Sequence, residues 1–177
     1  MSAAEGSLCV GCAMCCNGTL FDHAPLQPGE GPLKSGDGLR VAEVKGKRHF
    51  LQPCAYESCG RCTVYEHRFQ VCRSFNCALL KRQLSGEVEF AEAKAIVERA
   101  VELRKKAGTP DPAGKVHGER QRLRRQLAQQ LADDTAVDRP AVARQLLDLV
   151  VLDAHLDRWF RTDNTDGSGA SGVAEPG

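Results

Sequence analysis

The sequence predicts an α+β fold, in which a small loop-rich region with a short β-hairpin is followed by about three α-helices. Three observations support this prediction. All nine cysteines of the 177-residue chain lie between positions 9 and 77, and glycine and proline interrupt the same region. Two apolar runs within it flank a turn sequence. From about residue 87 onward, apolar residues recur every three or four positions, which is the period of a helix.

Composition limits the classes of protein to which the chain can belong. The 24 basic and 23 acidic residues leave a formal net charge of +1, which argues against a strongly basic nucleic-acid binder. Hydrophobic residues make up 42% of the chain, but aromatic residues make up only 5%. The cysteine-rich region is therefore expected to need stabilisation besides apolar packing.

Residues 39–51 predict the β-hairpin. Leu39 and Phe50 belong to apolar runs on either side of the turn Lys45-Gly46-Lys47. Because a two-stranded hairpin is hardly stable in water, we expect the cysteine-rich segments before residue 17 and after residue 53 to anchor it.

Three helices are predicted in the second half of the chain. The first is expected to end before Gly108, and a second, shorter helix carries Leu123, Leu127 and Leu131. The third begins at Asp138 with a proline in its first turn. The first carries a stripe of apolar residues at helical spacing: Phe90, Ala93, Ile96, Val97, Ala100 and Leu103.

These patterns divide the chain into a cysteine-rich region at 1–83, a helical region at 84–162 and a disordered tail at 163–177. The third helix ends in Trp159 and Phe160, which present a large apolar area. We expect the carboxy-terminal helices to use this area either for packing against one another or for binding a protein partner or a second copy of the chain.

The cysteines form two blocks, and the first has the pattern CxxCxxCC. Two residues between cysteines allow a tight turn in which both thiolates reach one ion, and Gly11 can supply a positive φ there. Neighbouring side chains on an extended backbone point apart, so Cys15 and Cys16 are expected to serve two centres. The blocks are Cys9, Cys12, Cys15 and Cys16, then Cys54, Cys59, Cys62, Cys72 and Cys77.

The redox environment favours metal binding over disulfides. Residues 1–20 contain neither lysine nor arginine and lack the apolar core of a signal peptide, and no later segment approaches 18 apolar residues. We therefore expect a cytoplasmic protein without membrane association, in which thiols stay reduced and close-spaced cysteines are metal ligands.

The order of eight cysteines resembles the bacterial CxxCxxCC family, also called the YkgJ-type cysteine cluster family. The resemblance covers residues 9–82, leaves Cys59 as an extra cysteine, and departs from the family at Phe69, where a proline is usual. That family is described as a zinc- or iron-chelating domain, which implies a metal-stapled region here. The matching residues are Cys9, Cys12, Cys15, Cys16, Cys54, Cys62, Cys72 and Cys77, with Tyr65, Arg68 and Arg73.

Two of these matching residues are cationic. Four thiolates around a divalent ion, or around a 2+ iron-sulfur cube, leave a net charge of about −2. Arg68 and Arg73 are candidates to offset this charge by donating hydrogen bonds to sulfur, the alternative being that they are surface charges.

The identity of the metal stays open between zinc and iron. An all-thiolate tetrahedron and a weak core favour zinc, whereas the CxxCxxC triplet favours an iron-sulfur cluster. Cu(I) bound with the help of Met14, and thiol exchange through Cys12 and Cys15, are less favoured. His23, His49 and His67 are expected to have surface or turn roles.

Two function classes follow from these observations. The first is a metal-binding protein with a structural or metal-handling role. The second is an iron-sulfur enzyme or enzyme component, since a similar cysteine-rich region occurs in bacterial flagellin lysine methylases. Nucleic-acid binding is not predicted, because acidic residues accompany the arginines and no aromatic residues interleave with them; a solvated helix face is expected at Arg120, Arg122, Arg124 and Arg125.

Overall fold

A computed structural model describes residues 7–108, 116–133 and 138–161. Its strands are β1 (His23–Pro25), β2 (Val41–Val44), β3 (Lys47–Leu51), β4 (Glu57–Ser58) and β5 (Arg61–Cys62). Its helices are α1 (Gln70–Ser74), α2 (Ala78–Leu84), α3 (Phe90–Lys106), α4 (Val116–Ala132) and α5 (Arg139–Trp159), and a 3₁₀ turn covers Tyr65–His67. Two small sheets followed by helices confirm the predicted α+β class.

The predicted hairpin is formed by β2 and β3. Lys45 and Gly46 join them with φ angles of 51° and 74°, and a two-residue turn with two positive φ angles suits the twist of a hairpin. β1 pairs antiparallel with the other side of β3, so the sheet order is β1-β3-β2. Phe50 of the central strand is 1% exposed and anchors the sheet on the core beneath it.

The three long helices occur where the periodicity predicts them. α3 ends at Lys106, before Gly108, and α5 begins after Asp138, whose carboxylate accepts a hydrogen bond from the backbone N–H of Ala141 at 3.0 Å. α4 is as long as α3, at 17 residues, so the prediction of a shorter second helix is wrong. The short helices α1 and α2 were not predicted, because turns of five and seven residues carry too little periodicity.

The buried apolar residues form two clusters. The larger core joins Leu8, Met14 and Leu20 of the amino-terminal loop to the inner faces of α3 and α5. The smaller core lies beneath the three-stranded sheet and consists of Leu26, Phe50, Tyr56 and Phe69. The larger core thus contains residues from both sides of position 83, and the predicted division there stays a prediction.

One expectation about the helical half is wrong. Arg120 was expected on a solvated face, but its side chain is fully buried and ion-paired with Asp153, whereas Arg122 and Arg125 are exposed. A sequence pattern cannot reveal this burial, because the carboxylate that permits it lies 33 residues away. The predicted tail at 163–177 lies outside the described residues, and within the described ranges no helix is long and apolar enough to cross a membrane.

Candidate metal centre

Eight of the nine cysteines line one cavity of about 150 Å³ between the amino-terminal loop, the β4–β5 loop and the helices α1 and α2. All nine are free thiols. The exception is Cys59, which is exposed and lies outside the cavity. The eight cysteines that line the cavity are the same eight that the resemblance singles out: Cys9, Cys12, Cys15, Cys16, Cys54, Cys62, Cys72 and Cys77.

The first cysteine block folds as consecutive turns. The backbone N–H groups of Cys12 and Ala13 both donate to the carbonyl of Cys9, at 3.3 and 3.5 Å, and Gly11 supplies the positive φ of 85° that this turn requires. The N–H of Asn17 then donates to the carbonyl of Ala13 at 2.8 Å. These bonds curl the chain so that side chains three residues apart point into one space.

Two backbone hydrogen bonds hold the second block against the first. The N–H of Gly11 donates to the carbonyl of Gly60 at 2.9 Å, and the N–H of Cys54 donates to the carbonyl of Cys16 at 2.7 Å. Sequence reasoning missed Gly60, although a glycine between two cysteines is a signal of a tight approach. Its φ is 79°, and a Cβ at this position would lie 3.2 Å from the Cα of Gly11.

Gly60→Ala is expected to lower the amount of bound metal. The added methyl would push the two blocks apart, in addition to the cost of about 1 kcal/mol for a positive φ in a non-glycine residue. Gly36→Ala is the matched control, since Gly36 has a φ of 76° but nothing within 4 Å of its added Cβ. Metal analysis of both variants checks the prediction, which fails if both retain equal metal.

The last cavity cysteine sits at the start of a helix. Cys77 is the N-cap of α2, and its sulfur accepts a weak hydrogen bond from the backbone N–H of Leu80 at 3.5 Å. Burial raises the pKa of the Cys77 thiol, and the hydrogen bond from the Leu80 N–H opposes this rise.

The cavity cysteines divide between the two cores. Cys12, Cys15 and Cys77 pack against the larger core, whereas Cys54, Cys62 and Cys72 pack against the smaller one. This division does not follow the two sequence blocks, since Cys77 of the second block lies with Cys12 and Cys15 of the first.

The charges that act on each thiol follow a similar division and guide the placing of the remaining two cysteines. Burial, with smaller contributions from the charges of Cys77 and Cys9, raises the pKa of the Cys12 thiol to about 12. Burial also raises the pKa of Cys16, to which the charges of Cys54, Cys72 and Cys62 add, followed by that of Cys9. We call Cys9, Cys12, Cys15 and Cys77 group A, and Cys16, Cys54, Cys62 and Cys72 group B.

Adjacent residues Cys15 and Cys16 act on one another but otherwise differ in their main neighbours. For Cys15, burial raises the pKa most, followed by the charges of Cys12, Cys16, Cys77 and Cys9. Cys72 of group B has its pKa raised to about 12 by burial, followed by repulsion from Cys54 and Cys62.

The eight thiols line one cavity, but they do not converge on a single position in it. Among the residues that the structure describes, no three His, Cys, Asp or Glu side chains are arranged tightly enough to hold a metal ion. The chemistry of the cysteine sulfur atoms nevertheless suits a thiophilic metal, because sets of four cysteine thiolates are usual ligands of structural zinc and of iron-sulfur clusters.

The two candidate arginines differ in position. Arg68 lines the cavity, donates from Nε to the carbonyl of Tyr65 at 3.0 Å and stacks its guanidinium 3.7 Å from the centre of the Tyr65 ring. Its charge opposes the rise in the pKa of Cys72. Arg73 is exposed outside the cavity and donates to Gln70 Oε1 at 3.0 Å, so only Arg68 of the pair is brought to the thiols.

The other candidate ligands lie around the cavity or elsewhere. Met14 is 1% exposed and belongs to the larger core, which fits a packing role. His23 lines the cavity and its ring meets that of His49 edge-on at 4.7 Å, while His67 is exposed.

Metal binding is expected to release protons and to strengthen as the pH rises. Because the pKa values of Cys12 and Cys72 lie near 12, these thiols are protonated at neutral pH and must each lose a proton to coordinate a cation. We expect about four protons released per ion, measured by zinc titration calorimetry in buffers of different ionisation enthalpy. Cys59→Ser should leave this number unchanged, and a release near zero would contradict thiolate coordination.

In comparisons with known proteins, no family model matches the chain, and neither a curated protein nor a solved structure matches it.

Proposed function

We propose that the chain is a cytoplasmic metal-binding protein that holds two metal centres, one in group A and one in group B, in a structural or metal-handling role. One observation carries the proposal: eight cysteines from four separate stretches of chain line one cavity, whereas Cys59 is exposed outside it. Burial of cysteines merely as small apolar residues would not explain why these eight lie together. The resemblance to the CxxCxxCC family selects the same eight residues and supports the proposal.

The weak packing of this region gives the metal a structural task. The smaller core has four buried side chains, which is little apolar area for a segment with short strands and many turns. Structural zinc contributes about 10–16 kcal/mol to the folding of small thiolate sites. Two ions in groups A and B would therefore supply the stabilisation that apolar burial lacks.

Charge compensation suits an ion of group B in particular. Four thiolates and one divalent ion carry a net charge of about −2, and a guanidinium near sulfur lowers the cost of that charge. Arg68 at the edge of the cavity provides one such group beside Cys72. We propose that Arg68 orients and stabilises the group B thiolates, whereas Arg73 has a surface role.

Metal analysis of the full chain after anaerobic purification tests the proposal. A colourless protein with about two zinc ions per chain supports two structural tetrathiolate sites. A brown protein that absorbs near about 400 nm and is bleached by dithionite supports iron-sulfur centres in the same groups, and with them the iron-sulfur enzyme class. A protein that binds neither metal, even after reconstitution under reducing conditions, contradicts the proposal.

A further inference from the structure

Gln52 directly follows β3 and lines the cysteine cavity. It is 4% exposed, although its side chain is polar. Phe50, two residues earlier, belongs to the smaller core, against which Cys54, Cys62 and Cys72 of group B pack. Because burial of a polar group is unfavourable unless that group is hydrogen-bonded, a glutamine in this place needs a partner.

The carboxamide oxygen of Gln52 is buried without a hydrogen bond. Among the residues that the structure describes, none donates to its Oε1. Other buried polar and charged side chains are paired and lie outside the cavity: Thr19 donates from Oγ1 to Asn17 Oδ1 at 2.6 Å, and Arg120 is ion-paired with Asp153. A buried polar atom left unbonded costs stability, so an unbonded carboxamide at this cavity points to a group that the cavity binds.

The backbone of Gln52 is held from two sides. Its N–H donates to the carbonyl of Asp22 at 2.9 Å, and its carbonyl accepts a hydrogen bond from Arg40 Nη2 at 2.8 Å. Rotation about the last side-chain bond exchanges Oε1 and Nε2, which are similar in size. The carboxamide can therefore present an acceptor or a donor to the cavity while the backbone stays in place.

The chemistry of a metal-bound thiolate selects the donor. Its sulfur carries no proton and only accepts hydrogen bonds, and within the carboxamide only Nε2 donates. Group B is the nearer group along the chain, since Gln52 precedes Cys54 by two residues. Arg68 alone offsets only part of the charge of about −2 that four thiolates and a divalent ion carry. A neutral N–H donor would lower the cost of that charge further.

We propose that Gln52 is a positioning residue of group B, whose Nε2 donates a hydrogen bond to a metal-bound thiolate sulfur. The bond fixes the orientation of that cysteine and disperses its charge. This inference rests on the proposed metal-binding function and extends it to a residue that is neither a cysteine nor a cation. Loss of such a bond lowers metal affinity by about 10-fold to 100-fold.

Zinc competition with a chromophoric chelator, on the full chain, is the first test. Gln52→Leu replaces the carboxamide by an apolar group of similar volume, and we expect one of two zinc ions to bind about 10-fold to 100-fold more weakly. Gln52→Glu keeps the shape but removes the donor, so at mildly alkaline pH it should weaken binding at least as much. Gln27→Leu is the matched control, because Gln27 is exposed outside the cavity.

Cobalt(II) is the second probe, because a packing role alone would also weaken zinc binding. It replaces zinc in tetrathiolate sites and gives a thiolate-to-cobalt charge-transfer band. A sulfur without its hydrogen bond gives up an electron more readily, so Gln52→Leu should shift this band to longer wavelength. In the Cys54→Ser chain, which should keep only the group A ion, Gln52→Leu should change neither the zinc affinity nor the band.

Three results would overturn the proposal: unchanged affinity for both zinc ions in Gln52→Leu, weaker binding without a shift of the cobalt band, or an equal effect in the Cys54→Ser chain. Circular dichroism checks the folding of Gln52→Leu, which loses an unbonded polar atom and should fold at least as well as the unaltered chain. An unaltered chain that takes up neither zinc nor cobalt contradicts the proposed function itself, and this inference with it.

Discussion

Cys12→Ser is expected to release about half of the bound metal and to destabilise the amino-terminal half of the chain. Cys12 belongs to group A, and a serine hydroxyl neither replaces a thiolate as a zinc or iron-sulfur ligand nor matches its size. Cys12 also packs against the larger core, so the loss extends beyond coordination to the contacts of the amino-terminal loop. Metal content per chain and the thermal unfolding transition measure the two effects.

Two further cysteine variants make this result specific. Cys59→Ser is the matched control, because Cys59 is exposed outside the cavity and its replacement should leave both metal content and stability unchanged. Cys54→Ser should release the ion of group B while group A keeps its own. Equal losses from Cys12→Ser and Cys59→Ser refute the eight-ligand assignment, and complete loss of both ions from either group variant refutes the division into two groups.

Asp153→Asn is expected to destabilise the chain by about 3–5 kcal/mol, because it leaves a buried arginine without its anionic partner. Nε and Nη2 of Arg120 lie 3.3 and 3.2 Å from Asp153 Oδ1, and both side chains are buried. Arg124 Nη1 adds a bond of 3.0 Å to Oδ2, and Arg161 approaches within 3.6 Å. Burial lowers the pKa of Arg120, and Asp153 opposes that shift.

Urea unfolding of the metal-loaded chain measures this change. Asp157→Asn is the matched control: it lies one turn later on α5, also pairs with Arg161, and is 63% exposed, so its loss should cost less than about 1 kcal/mol. Replacement of both Arg120 and Asp153 by leucine should recover most of the loss, since neither charge of the fully buried pair remains. Equal losses of unfolding free energy in the two asparagine variants would show that the burial of Asp153 does not strengthen its contribution to stability.

Local order in this protein follows from short-range patterns. The hairpin turn at Lys45-Gly46, the N-cap at Asp138 and the end of α3 before Gly108 each depend on residues within a few positions of one another. Such contacts are determined by backbone preference and by hydrogen bonds within one turn. The short helices α1 and α2 escaped prediction because one or two turns carry too weak a pattern and depend on tertiary packing.

Charge patterns were less informative than apolar ones. Four arginines near the start of α4 predicted one solvated face, yet Arg120 is buried and Arg122 is exposed. The difference depends on Asp153, which a helix of another segment carries to the same place. Long-range ion pairs leave no period in the sequence, so only the packing of α4 on α5 shows which arginine is paired.

The sequence by itself determined the α+β class and the three long helices, because helical period is written in local order, while the resemblance to the CxxCxxCC family singled out eight of the nine cysteines. Only the tertiary structure decided that Cys77 joins the first block, that Cys16 joins Cys54, Cys62 and Cys72, and that Arg68 rather than Arg73 reaches the cavity. These outcomes depend on the packing of each turn against one of the two cores and on the hydrogen bond between Gly11 and Gly60. Both involve residues that lie far apart in the chain.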